Sequence, residues 1–299
     1  MEEYPGSPCG AASPGPRPIP ARAPWWLWVA ALGLWLAAFY PLWEWLVATW
    51  LGSPYYSHGF LVPLVSLLLA WRLERGRPAA AEQGLGNKDV FGGLLLAGLG
   101  LGGGWGAIRR GLWPWAGVAL IGTLAGIVWA LAGRATLRRQ AFPLAFTLLM
   151  VPLPWPEAIT PPLARAVAGA AAGLARGLGI PATAQGAQVQ LGGIALAVGA
   201  PCSGVNSLAA LVTLAVLYAF LVRGPWWGRL GLVAAAAPIA LLANLVRVTA
   251  MVLLAHGAGV AVALKYFHTW SSPLLFLLAL GLLVLVGRGW RCSGIRSDL

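Results

Sequence analysis

Apolar residues fall in eight long blocks, roughly 25 to 50, 56 to 71, 90 to 108, 111 to 133, 140 to 155, 203 to 222, 230 to 255 and 270 to 288. A helix needs ~20 mainly apolar residues to cross a hydrocarbon core. The pattern therefore predicts an all-α polytopic membrane protein of about eight transmembrane helices. The second block is the shortest, since its uninterrupted apolar run spans only Phe60 to Trp71, although Tyr55 and Tyr56 supply an interfacial anchor. A re-entrant segment there would invert everything downstream. Two stretches between the fifth and sixth blocks break the pattern. Glu157 to Gly179 is Ala-rich with Arg165 and Arg176, which predicts an interfacial amphipathic helix. Ala187 to Gly199 reads AQVQLGGIALAVG, two short β-prone runs around Gly192-Gly193, which predicts a tight β-hairpin leading into Pro201-Cys202.

Composition supports the membrane reading. The 299 residues are 59% hydrophobic and 9% charged with 17 Trp, too little polar surface for a soluble domain. The net charge of +12 does not point to nucleic acid, because Lys and Arg are scattered through short loops instead of forming one stripe. With the N-terminus inside, inner segments hold fourteen of the 20 Lys and Arg, and outer segments hold five: Arg109, Arg110, Arg165, Arg176 and Lys265. Arg247 lies within a helix. This asymmetry predicts a multi-pass protein of the inner cell membrane with both termini cytoplasmic. Residues 1 to 24 hold seven prolines and read as a disordered cytoplasmic tail, 25 to 288 as the transmembrane domain, and 289 to 299 as a basic cytoplasmic tail. The first apolar block is too long for a signal-peptide core, so no cleaved signal is expected.

Cys9, Cys202 and Cys292 are the only cysteines, and no pair has metal-ligand spacing, so neither a disulfide framework nor a zinc site is expected. Cys202 stands in Ala200-Pro201-Cys202-Ser203-Gly204-Val205-Asn206-Ser207, where a hairpin meets a helix N-terminus on the outer side. Amides and the dipole there favour a thiolate and can donate to an oxyanion. The plainer reading of a lone membrane cysteine is a small apolar filler. Arg247, in Ala243-Asn244-Leu245-Val246-Arg247, shares a helix face with Asn244. It either stabilises negative charge in a reaction, or snorkels to the interface or braces Glu44 or Glu157. His268, in Tyr266-Phe267-His268-Thr269-Trp270, is expected in the outer loop before the last helix, where an imidazole can exchange a proton with a thiol. His58 and His256 also map to the outer face, and His58 is the stronger rival, as a second proton carrier or a substrate-binding group.

The chain resembles the exosortase/archaeosortase family of membrane transpeptidases. The resemblance is carried in order by SHGFLVPL at 57 to 64, VPLPWP at 151 to 156, PCSG at 201 to 204, NLVR at 244 to 247 and the late His268. It implies Cys202, Arg247 and His268 as the catalytic set, with His58, Ser203, Gly204, Asn206 and Asn244 as substrate-binding or supporting residues. The implied partners are C-terminal sorting signals of secreted proteins: a short motif such as Pro-Glu-Pro, a membrane helix and a basic tail. Cleavage at the outer face gives an acyl-enzyme resolved by an amine, a hydroxyl or water, with an envelope polysaccharide or lipid among the conceivable acceptors. The membrane lipid is a partner throughout, and no metal or organic cofactor is expected. Two rival classes are a non-catalytic or transport component of exopolysaccharide or envelope assembly, and a lipid-to-protein acyltransferase using Cys202 as acyl carrier.

Overall fold

A computed structural model describes residues 23–76, 85–199 and 202–296, excepting the side chains of Tyr266, His268 and Thr269. Residues 1–22 of the expected N-terminal tail, Cys9 among them, and Pro201 lie outside the described residues. The first apolar block is two helices, α1 (Trp25–Ala38) and α2 (Tyr40–Gly52), bent by 68°. Pro41 brings no N–H to the first turn of α2, and Phe39 at the bend is fully buried. A 3₁₀ turn, Ser57–Phe60, then leads to α3 (Leu61–Arg75). At ~1.5 Å per residue α3 spans about 22 Å, short of the ~30 Å hydrocarbon core.

Helices α4 (Asn87–Arg109) and α5 (Trp113–Arg139) pack backbone to backbone. A Cβ on Gly93 would lie 2.3 Å from the Ala130 nitrogen, and one on Gly126 2.4 Å from the Ala97 nitrogen. Small residues at such contacts are how membrane helices approach closely. Helix α5 is interrupted at Gly133, whose φ is 81°, where the fourth apolar block was expected to end. The fifth block is α6 (Ala141–Phe146) with a 3₁₀ turn, Thr147–Met150, and meets α7 (Trp155–Gly177) at a 61° bend. The prolines of VPLPWP lie in and around that bend.

Helix α7 is amphipathic as expected, but its buried side packs on protein. Ala164, Val167, Ala168, Ala171, Ala172 and Ala175 join a core shared with a three-stranded antiparallel sheet and with a later helix. The sheet is β1 (Ala182–Gln185), β2 (Gln188–Leu191) and β3 (Ile194–Ala197), in that order. The β2–β3 pair turns at Gly192-Gly193, both at positive φ. The expected two-stranded hairpin is thus part of a larger sheet, and ATAQ gave β1 too little β-prone character to be read as a strand.

The remaining chain forms α8 (Val205–Leu221), α9 (Trp226–Gly257), the one-turn α10 (Val260–Val262), a π turn Ala263–Phe267 and α11 (His268–Gly289). His268 begins a helix and does not sit in a loop, because the π turn carries helical backbone through to it. The described part of the expected C-terminal tail docks on the bundle: Ile295 bridges Val222, and the Arg296 amide donates to the Leu221 carbonyl at 2.9 Å.

Among the described residues four helices, α4, α5, α9 and 270–289 of α11, are long and apolar enough to cross a membrane, and up to six crossings result if each bent pair counts as one. The chain is a polytopic helical membrane protein. The count of eight depends on α3 and α8, which at 15 and 17 residues are shorter than the four.

Candidate active site

Between the sheet and α8 the chain makes a tight turn. The Gly199 carbonyl accepts from the amides of both Cys202 and Ser203, each at 2.9 Å. The Ser203 amide, expected to face an oxyanion, is therefore committed to the turn, which leaves the Gly204 amide as the candidate. Gly204 caps α8 with φ of 89°, and a Cβ there would lie 3.0 Å from the Asn244 side chain. Both the backbone region and the space thus call for glycine. The Ser203 hydroxyl accepts from the Val205 amide at 3.4 Å.

Asn244 of α9 joins the two segments. Its Nδ2 donates to the Cys202 carbonyl at 2.8 Å, while the residue is 4% exposed. Cys202, 6% exposed, belongs to the core built by the alanine face of α7, the sheet and Val248, Met251 and Val252 of α9. Arg247, three residues beyond Asn244, is 5% exposed, which removes the snorkelling reading. Its guanidinium donates to the Ser272 hydroxyl of α11 at 2.6 Å. Glu44, one suggested brace for Arg247, instead accepts from the Tyr40 hydroxyl at 2.8 Å.

A small pocket opens between α8, α9 and α11. Ser207, Asn244, Arg247 and Ser272 form its polar tier, and Leu211, Ala240, Phe276 and Ala279, a turn or two further along the same helices, form an apolar one. Buried acceptors collect at this end of the bundle: Asn206 Oδ1, Asn244 Oδ1, Thr249 Oγ1 and Ser271 Oγ have no hydrogen-bond partner among the described residues. Unsatisfied buried groups are uncommon in stable cores, and others lie elsewhere in the bundle, at Trp43, Ser66, Arg139, Gln140 and Arg229.

The structure ties Cys202, Gly204, Asn244 and Arg247 into one set. His268 begins α11, one helical turn before Ser272, which accepts from Arg247. His58 belongs elsewhere: it sits in the 3₁₀ turn before α3, where burial holds its imidazole below the usual range and a hydrogen bond to the Leu149 backbone opposes that. Around it the segment 50–58 meets the segment 149–153. The Trp50 indole donates to the Met150 carbonyl at 2.9 Å, and the Tyr56 hydroxyl donates to the Leu153 carbonyl. Burial, and then the Glu157 carboxylate, hold the Tyr56 hydroxyl above the usual tyrosine range. Gly59 lies against the Trp50 indole, 2.4 Å from it if a Cβ were added. His256 is exposed in the last turn of α9. Sequence reasoning missed Ser207, Thr249, Ser271 and Ser272. The signal for the last two was a polar pair, Ser271-Ser272, opening an otherwise apolar helix.

Among the described residues no cluster of His, Cys, Asp and Glu could hold a metal ion. A family model described as transmembrane exosortase matches residues 45–285. No curated protein and no solved structure matches the chain.

Proposed function

The chain belongs to the transmembrane exosortase family, and on that premise we propose that it is a cysteine transpeptidase acting on C-terminal sorting signals at the outer membrane face. Cys202 gives its thiol proton to His268, and its Sγ attacks the carbonyl carbon of a peptide bond to form the C–S bond. The oxyanion of the tetrahedral intermediate is stabilised by Arg247 and the Gly204 amide. The C–N bond then breaks as His268 gives a proton to the departing amine. An acceptor amine, a hydroxyl or water attacks the thioester carbonyl, returns the acyl group to N or O, and releases the thiol. The loop charges support an outer position for the Cys202 end and a cytoplasmic one for both termini. An envelope polysaccharide or lipid is the acceptor class this setting offers.

The observation that carries this reading is the Asn244–Cys202 hydrogen bond of 2.8 Å. It fixes the thiol-bearing turn to α9 one helical turn from a buried guanidinium. A cysteine that merely filled space would need neither the glycine cap nor a buried amide on its carbonyl. The test is co-expression with a C-terminally tagged secreted protein carrying motif, membrane helix and basic tail. Cys202→Ala and Cys202→Ser should insert normally and leave the substrate unprocessed. Wild-type processing by Cys202→Ala would sink the mechanism.

A further inference from the structure

A guanidinium is planar and donates in a fixed fork, so what it stabilises depends on how its plane is held as well as on its charge. Arg247 is 5% exposed and reaches across from α9 to the Ser272 hydroxyl of α11 at 2.6 Å. A hydroxyl accepting from a cation makes a charge-assisted bond, roughly twice as strong as a neutral one. Ser272 and Arg247 both line the small pocket with Asn244, whose side chain holds Cys202. Ser272 also lies one helical turn beyond His268 on α11, after a π turn of five residues. Local π geometry in a helix often accompanies functional placement.

We propose that Ser272 is a positioning residue that orients the Arg247 guanidinium toward Cys202 and couples α9 to the helix that begins with His268. This rests on the reading of Cys202 and Arg247 as the reacting thiol and its stabilising cation. Ser272 touches no reacting atom; it acts through Arg247. The neighbouring Ser271 is 4% exposed, and its hydroxyl has no partner among the described residues, so it supplies a matched control of the same chemistry one position away.

The test uses the full chain in lipid nanodiscs and two alkylating probes of similar size, neutral iodoacetamide and anionic iodoacetate. Mass spectrometry follows the peptide containing Cys202, which separates it from Cys9 and Cys292. A correctly held cation at Cys202 favours the anionic probe. The ratio of the iodoacetate to the iodoacetamide rate therefore reports its placement, whereas a change in access alone alters both rates alike. Ser272→Ala should lower that ratio by about threefold or more, a modest displacement of one unit charge at short range. Ser272→Thr, which keeps the hydroxyl, should restore it, and Ser271→Ala should leave it unchanged. A wild-type ratio in Ser272→Ala, together with a reduced ratio in Arg247→Gln, would overturn the role of Ser272 and leave the function intact. A wild-type ratio in Arg247→Gln itself would overturn both, because Arg247 would then exert no field at the thiol.

Discussion

Cys202 and Cys292 are both free, buried thiols, and they lie toward opposite ends of α9. Cys292 is fully buried in a slot floored by glycine: a Cβ on Gly224 would sit 2.7 Å from its sulfur and one on Gly228 3.0 Å away. Its Sγ reaches the Trp290 carbonyl at 3.7 Å, and burial pushes its thiol up while Arg229 pulls back. That setting is packing, with the described C-terminal residues as the packed object. Around Cys202 the small residues instead make room for turns, and the Asn244 amide donates to its carbonyl, with the buried Arg247 one turn further along α9. Burial does not separate the two cysteines. The buried Asn244 amide on the Cys202 carbonyl and the glycine-capped start of α8 do.

Exchanging the roles of the two thiols gives the largest expected effect. Cys202→Ala should reduce processing of a tagged sorting signal by at least about a thousandfold, as loss of a nucleophile does, while Cys292→Ala stays within about twofold of wild type. Immunoblotting of the tagged substrate reads both, and comparable losses in the two variants would erase the distinction. Next is Asn244→Ala, which frees the Cys202 carbonyl and is expected to lower processing by about ten- to a hundredfold, while size-exclusion elution stays monodisperse. A variant at wild-type rate would show that the Cys202 turn holds itself. At the other end, Gly228→Val should destabilise by about 1 to 3 kcal/mol, because its Cβ would meet the Trp290 carbonyl oxygen at 2.8 Å. Thermal unfolding should register that loss without a change in the alkylation ratio at Cys202.

The smallest effect concerns pH. His58 sits below its ordinary value because it is buried. Its contribution to stability is present above the unfolded-state value near about 6.5 and is lost as pH falls through the lower folded-state value. His58→Gln should therefore flatten the drop in melting temperature between neutral and mildly acidic pH by a degree or two, with processing at neutral pH preserved. A collapse of processing at neutral pH would return His58 to the reacting set.

Legibility in the sequence followed the physics of each signal. Long apolar runs located α4, α5, α9 and α11, because a membrane crossing is a property of composition over many residues. The Gly192-Gly193 turn was readable, since positive φ at two successive positions leaves few alternatives to glycine. Asn244 and Arg247 were picked out because polar groups are costly inside an apolar helix. The bend at Phe39 was missed although Pro41 announced it, since the apolar block continues across it. Ser272 was passed over because serine near a helix start is ordinary. Its importance arises from a contact 25 residues away in sequence. The separate positions of the two histidines, in the 3₁₀ turn before α3 and at the start of α11, likewise depend on which elements meet, and periodicity carries no information about that.

Helix α9 runs 32 residues, from the exposed Trp226 and Trp227 to Gly257. Exposed indoles settle at the water–lipid boundary. At about 1.5 Å of rise per residue, Arg247 stands about 31 Å above Trp226, close to the ~30 Å thickness of a hydrocarbon layer. The helix is therefore a ruler: counted from its aromatic anchor, it sets the guanidinium at the level where the far boundary begins. Each residue added or removed between the two would shift that level by the same increment, which ties the depth of the buried Arg247 to the thickness of the bilayer.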